Sequence, residues 1–144
     1  MSSRWPLFAV VALLGLAGCK ESGGSEAERE GENADKPAAQ TVSAFYEAAD
    51  EPDGEKACSL LTADGIRAIV RVGSHAACVR TIDGFDSGSF SDENGELLKI
   101  EGVEEHGATT DVNALLKGRS GGVYTVVKTK KGRLLIDGFK PEEG

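Results

Sequence analysis

The chain is poor in the residues that most often carry chemistry. Of 144 residues only two are His and three are Cys, there is no Cys-x-x-Cys pair, and neither His75 nor His106 has a Cys or a second His beside it. Zinc sites are built from such clusters, so no metal is expected. One Trp, four Pro and 6% aromatics leave core-building to Leu, Ile, Val and Ala, which points to a single small core of modest stability. Positive charge is scarce too. Apart from Lys128, Lys130, Lys131 and Arg133 near a predicted turn, no basic run offsets the 24 acids. A field of that sign repels polyanions, so nucleic acid is excluded as a partner.

What is present starts at the N-terminus. Met1 to Trp5 supplies one positive charge, Leu7 to Leu16 is apolar apart from Gly15, and Leu16-Ala17-Gly18 ends in small residues before Cys19. That order is the three-part layout of an export signal. A spanning helix is the competing reading, but a bilayer core needs about 20 apolar residues, and Trp5 to Gly18 offers fourteen. Residues 1–18 are therefore read as a cleaved signal peptide. Their removal leaves 15 Lys and Arg against 24 acids, a net charge of −9.

Residues 19–36 read as a disordered acidic tether. Lys20 to Ala38 contains no Val, Ile, Leu, Met or aromatic residue, so it cannot bury enough surface to offset the entropy of ordering. A flexible coil of this length spans roughly 25 Å, and charge repulsion extends it. Glu26, Glu28, Glu30 and Glu32 also suggest an acidic binding tail, but charge runs of this kind are usually just solvated.

Residues 37–144 change character. Val42, Phe45, Tyr46 and Ala49 fall at i, i+3, i+4, i+7, the stripe of an amphipathic helix, with Pro37 in its first turn and Pro52 beyond its end. Asp53 is placed to cap a helix from Gly54 to Leu61, Thr62 to cap a third carrying Ile66, Ile69 and Val70, and Ser74 a fourth carrying Cys78, Val79 and Ile82. Asp83 to Glu96 is rich in Gly, Ser and Asp and reads as a loop. Strand patterns follow at Leu97–Val103, Ala108–Leu116, Gly122–Thr129 and Arg133–Phe139, separated by glycine-bearing turns. The expected fold is α+β, with N-terminal helices packed on a curved four-stranded antiparallel meander.

Leu16-Ala17-Gly18-Cys19 resembles the lipobox of bacterial lipoproteins, in which a cysteine after a small pair receives a diacylglyceryl group through its sulfur. The resemblance implies cleavage between Gly18 and Cys19 and acylation of Cys19, with an ordinary secretory cleavage site as the alternative. Two or three acyl chains, at about 0.8 kcal/mol per buried methylene, hold a protein on a bilayer essentially permanently. Lys20 stands where an Asp would resemble an inner-membrane retention signal, which favours the outer membrane in a two-membrane cell.

The helices-then-sheet order, the stretch VSAFYEAADEPDGEKACSLL with a following Cys78, and a final GRLLIDGF resemble the nuclear-transport-factor-2-like superfamily in its lipoprotein branch. That likeness covers Pro37 to Phe139 and implies a cone-like sheet around the first helix. Members often dimerise through the sheet, so a homodimer is one implication. This chain departs from larger members in having four strands and a compressed middle.

With Cys19 taken by lipid, Cys58 and Cys78 remain as an even pair in an oxidising compartment, and a disulfide is inferred, with two buried thiols as the alternative. Closing a loop of this size stabilises by roughly 3 kcal/mol on the chain-entropy view. Some superfamily members move a proton with a pocket Tyr and an Asp or His, and Tyr46 lies where such a hydroxyl would point inward. The second group that acid-base catalysis needs is not evident, because Asp111 and Asp137 alternate with apolar neighbours and read as solvent-facing. Asp83, Asp86, Asp92, Glu93, Asn94 and Glu96 form an acidic loop without the remainder of a calcium-binding pattern. The sequence therefore reads as a non-enzymatic, lipid-anchored envelope protein without a cofactor, binding a small ligand or an envelope partner. A proton-transfer isomerase or lyase, and a structural module of an envelope complex, are the alternatives.

Overall fold

The computed structural model describes residues 32–116 and 121–143. The signal segment, Cys19 and the tether as far as residue 31 lie outside the described residues; residues 32–34 form one helical turn. Pro37 opens helix α1 (Pro37–Asp50), where its fixed φ suits the first position and its missing N–H would be unbonded anyway. The predicted stripe is buried, together with Ala38, Ala39 and Ala48, and these small residues let the helix lie close against its neighbours. Among the described residues no helix is long and apolar enough to cross a membrane.

Each polar residue expected to cap does so. Asp53 accepts a hydrogen bond from Lys56 N at the start of α2 (Gly54–Cys58), Thr62 from Gly65 N at α3 (Ala63–Gly65), and Ser74 from Ala77 N at α4 (His75–Asp83). Helix α2 ends three residues before the predicted Leu61. There the chain turns extended: Ile136 N donates to Leu60 O at 2.8 Å and Thr62 N donates to Ile136 O at 3.0 Å, a parallel bridge that closes one sheet edge. After α3 the chain widens into a π-helical turn, Ile66–Val70, closed by Arg71 N donating to Ile66 O.

The sheet is a four-stranded antiparallel meander in the order β1 (Leu98–His106), β2 (Thr109–Leu116), β3 (Gly121–Lys128), β4 (Leu134–Pro141). The fold is α+β, as expected. Gly107, at φ 68, is the first of two residues in the β1–β2 turn, a position that needs positive φ. On the inner face Val112, Ala114 and Leu116 of β2 and Tyr124 and Val126 of β3 are buried beneath the helices. Register shifts mark bulges at Glu101 and Asp137. The second is the more consequential, because it lets Ile136 pair with Val126 and Phe139 with Tyr124, so both project inward. Apart from two tyrosines, every buried side chain among the described residues is apolar or a disulfide cysteine.

Candidate functional site

Among the described residues the only buried hydroxyl-bearing side chains are Tyr46 and Tyr124, from α1 and β3, and they share a hydrogen bond of 2.5 Å. Their rings meet edge to face with centroids 5.8 Å apart, and Tyr46 packs in the same way on Phe45 (5.0 Å) and Phe90 (5.6 Å). Burial first, then the charge and hydrogen bond of Tyr46, hold the Tyr124 phenol far above its ordinary pKa of 10.0. A raised pKa means that the folded state holds this proton more tightly than the unfolded chain. The stabilisation is complete below pH 10 and is lost as pH rises toward the folded value. Above pH 10, unfolding free energy is expected to fall by about 1.4 kcal/mol per pH unit from this group. Denaturant melts across that range check the slope, and the tyrosinate absorbance of Tyr124 should appear only with unfolding.

Beside Tyr46, on the helical side of α1, is a partly enclosed apolar cavity of about 170 Å³. Phe45, Tyr46 and Ala49 of α1 form one wall, Ile69 and Val70 of the π-helical turn a second, and Ile82 of α4 with Phe85 and Phe90 of the following loop the rest. Each wall is fixed by an identifiable contact. Gly54 N donates to Asp83 Oδ1 at 2.8 Å, which ties α2 to the end of α4 beside Ile82, and the Cys58–Cys78 disulfide joins the same two helices. The loop is clamped to the end of α1 by Asp50, whose carboxylate accepts from Phe90 N (2.8 Å) and Ser91 N (3.1 Å) and whose carbonyl accepts from Gly88 N (3.0 Å). Ile69 and Val70, at the end of the π-helical turn, are both half-buried at the cavity.

Among the sequence-singled residues, Cys58 and Cys78 meet, and Tyr46 lies on the cavity wall. Cys19 and Gly18 lie outside the described residues. The others stay apart. Exposed His75 lies 3.6 Å from Glu55, and His106 lies 3.4 Å from Asp111 and 3.7 Å from Glu104 on the outer face of the sheet. Asp111 also accepts from Thr125 Oγ1 at 3.2 Å. Asp137, at the bulge, is half-buried and accepts from Thr62 Oγ1 at 2.6 Å, so it fastens α3 to β4. In the acidic loop Asp92 accepts from Asn94 N and Glu96 N, a local turn, and no group of three metal-ligating side chains occurs among the described residues. A larger depression of about 620 Å³ between α1 and the start of β1 is open and lined by Glu47, Glu96 and Lys99, a setting that suits water.

The sequence reading missed Phe85, Phe90 and Asp50. The available signal was two Phe in an otherwise polar loop, since exposed aromatic side chains in such a stretch are an anomaly unless something covers them. Compared with protein-family models, with curated proteins and with solved structures, the chain finds no match in any of the three.

Proposed function

We propose that this chain is a non-enzymatic, lipid-anchored protein of the cell envelope whose domain holds a small, neutral, apolar group in the cavity beside Tyr46. The cavity carries the reading: eight apolar or aromatic side chains converge there, on walls held by hydrogen bonds to two aspartates, Asp50 and Asp83. A cavity of about 150 Å³ with such a lining takes a benzene-sized guest. The site is slightly larger and partly open, which suits a ring or short branched chain whose remainder lies outside. Binding is favoured over proton transfer because the Tyr46 hydroxyl shares a hydrogen bond with a second phenol, that of Tyr124, and every other buried side chain among the described residues is apolar or a disulfide cysteine. The membrane address rests on Leu16-Ala17-Gly18-Cys19, and the helix-first, sheet-second order supports the nuclear-transport-factor-2-like resemblance.

Titration with benzene, followed by methyl NMR shifts, tests the site. Shifts confined to Ile69, Val70 and Ile82 are expected, with Kd on the order of 0.1–1 mM for so few buried atoms. Ala49→Leu, which fills the cavity from the α1 side, should abolish them while the domain stays folded. Shifts elsewhere, or unchanged binding by the filled variant, would refute the assignment.

A further inference from the structure

The cavity leaves unused the densest positive charge in the domain. Between Asp111 and Asp137 the chain runs 25 residues without an acid and carries six Lys or Arg. Four of these, Lys128, Lys130, Lys131 and Arg133, sit at the β3–β4 turn, and all four are exposed. Its backbone is tied: Thr129 N donates to Arg133 O (2.8 Å), Gly132 N to Thr129 O (2.9 Å) and Arg133 N to Thr129 Oγ1 (3.1 Å). Gly132, at φ 81, closes the turn, so Lys130 and Lys131 occupy its tip. Among the described residues none of the four cations has a carboxylate within ion-pair distance, although acids outnumber cations across the chain. Arg133 donates instead to the carbonyl of Ser59 at 3.1 Å. The neighbouring β1–β2 turn carries Glu104, Glu105 and His106, so this end of the sheet is divided into an acidic and a basic half.

We infer that the β3–β4 turn is a second membrane contact, docking the tethered domain on anionic phospholipid headgroups. The inference rests on the lipid-anchor part of the proposed function. An acidic body is repelled by an anionic bilayer, but salt confines that repulsion to about 8 Å at physiological strength. A projecting cationic tip enters this layer while most of the acidic body stays outside it. Each Lys or Arg near such a surface is worth about fivefold in partitioning, so four give on the order of several-hundred-fold. That is weak for a free protein. A tether raises the local concentration to roughly the millimolar range, where weak contacts are populated. Fully extended, the 12 residues from Lys20 to Gly31 would reach about 40 Å, so any face can turn toward the membrane and charge selects which one does.

The test uses residues 20–144, which contain the whole described core and carry no lipid. Co-sedimentation is measured, with lipid in millimolar excess, on vesicles of phosphatidylcholine alone and of phosphatidylcholine mixed with phosphatidylglycerol, at physiological and at high salt. Binding is expected only to the mixed vesicles, is lost at high salt, and falls at least roughly 30-fold in Lys130→Glu/Lys131→Glu. The double variant Arg80→Glu/Lys140→Glu makes the same change in net charge at other exposed positions and should bind within about threefold of the parent. Thermal melts check that both doubles remain folded. No binding to the mixed vesicles at physiological salt, equal binding to phosphatidylcholine alone, or equal loss in the two doubles would overturn the inference. Lipid attachment is read separately, by labelled palmitate in cells making the full precursor or its Cys19→Ser variant, so a failed anchor and a failed turn give different results.

Discussion

Gly65→Ala is expected to cost about 3 kcal/mol of stability, lowering the melting temperature by roughly 10–20 °C. A Cβ at Gly65 would stand 2.1 Å from Ile136 O and 3.0 Å from its carbonyl carbon. Those atoms are backbone of a core strand and cannot swing aside. The Ile136 peptide is held through its N–H by Leu60 O and through its carbonyl by Thr62 N, and its side chain is fully buried opposite Val126. Moving α3 away instead would break the Thr62–Asp137 hydrogen bond and open the seam that covers the β4 edge. Gly73→Ala is the internal control: nothing lies within 4 Å of its Cβ, so stability should hold or rise by up to about 1 kcal/mol. Urea melts of both variants decide the matter, and equal stabilities would mean that the α3–β4 contact is not what Gly65 serves.

That seam also marks where sequence reading stops. Caps at Asp53, Thr62 and Ser74 were legible because a cap joins a side chain to an N–H three residues away, and so lies within a few residues of sequence. The α1 stripe and the four strands were legible for the same reason, since periodicity is a short-range signal. The early end of α2 was not, because Leu61 leaves the helix to bridge Ile136, far along the chain. Nor were the bulges at Glu101 and Asp137. Strict alternation would put Ile136 and Phe139 on opposite faces, and only the inserted residue brings both inward. The cavity was half-visible: Tyr46 marked one wall, whereas Phe85 and Phe90 lay in a segment whose Gly, Ser and Asp content signalled a loop. What seats those two rings is the Asp50 carboxylate, 40 residues before Phe90, and no local pattern reports such a contact.

Removing the disulfide should produce the other large effect, and a specific one. Cys58→Ala/Cys78→Ala frees a loop of 20-residue separation and is expected to lose about 3 kcal/mol. Both cysteines are essentially fully buried, so a reductant should reach them only when the domain opens. Wild-type melts run with reductant should therefore shift down toward those of the double variant, whose own melts should not respond. If the cross-link acts mainly by restricting the unfolded chain, the folded cavity is unaltered. Gly54 N still donates to Asp83, and Ile82 still packs against its neighbours. Benzene affinity measured well below the lowered melting temperature should then stay within about threefold of wild type, because helix position, not chain entropy, sets the cavity walls. A variant that kept its stability would show that the bond contributes little. One that lost affinity far beyond threefold while still folded would show that the bond positions α4, making the Cys58–Cys78 pair part of the binding site rather than a staple beneath it.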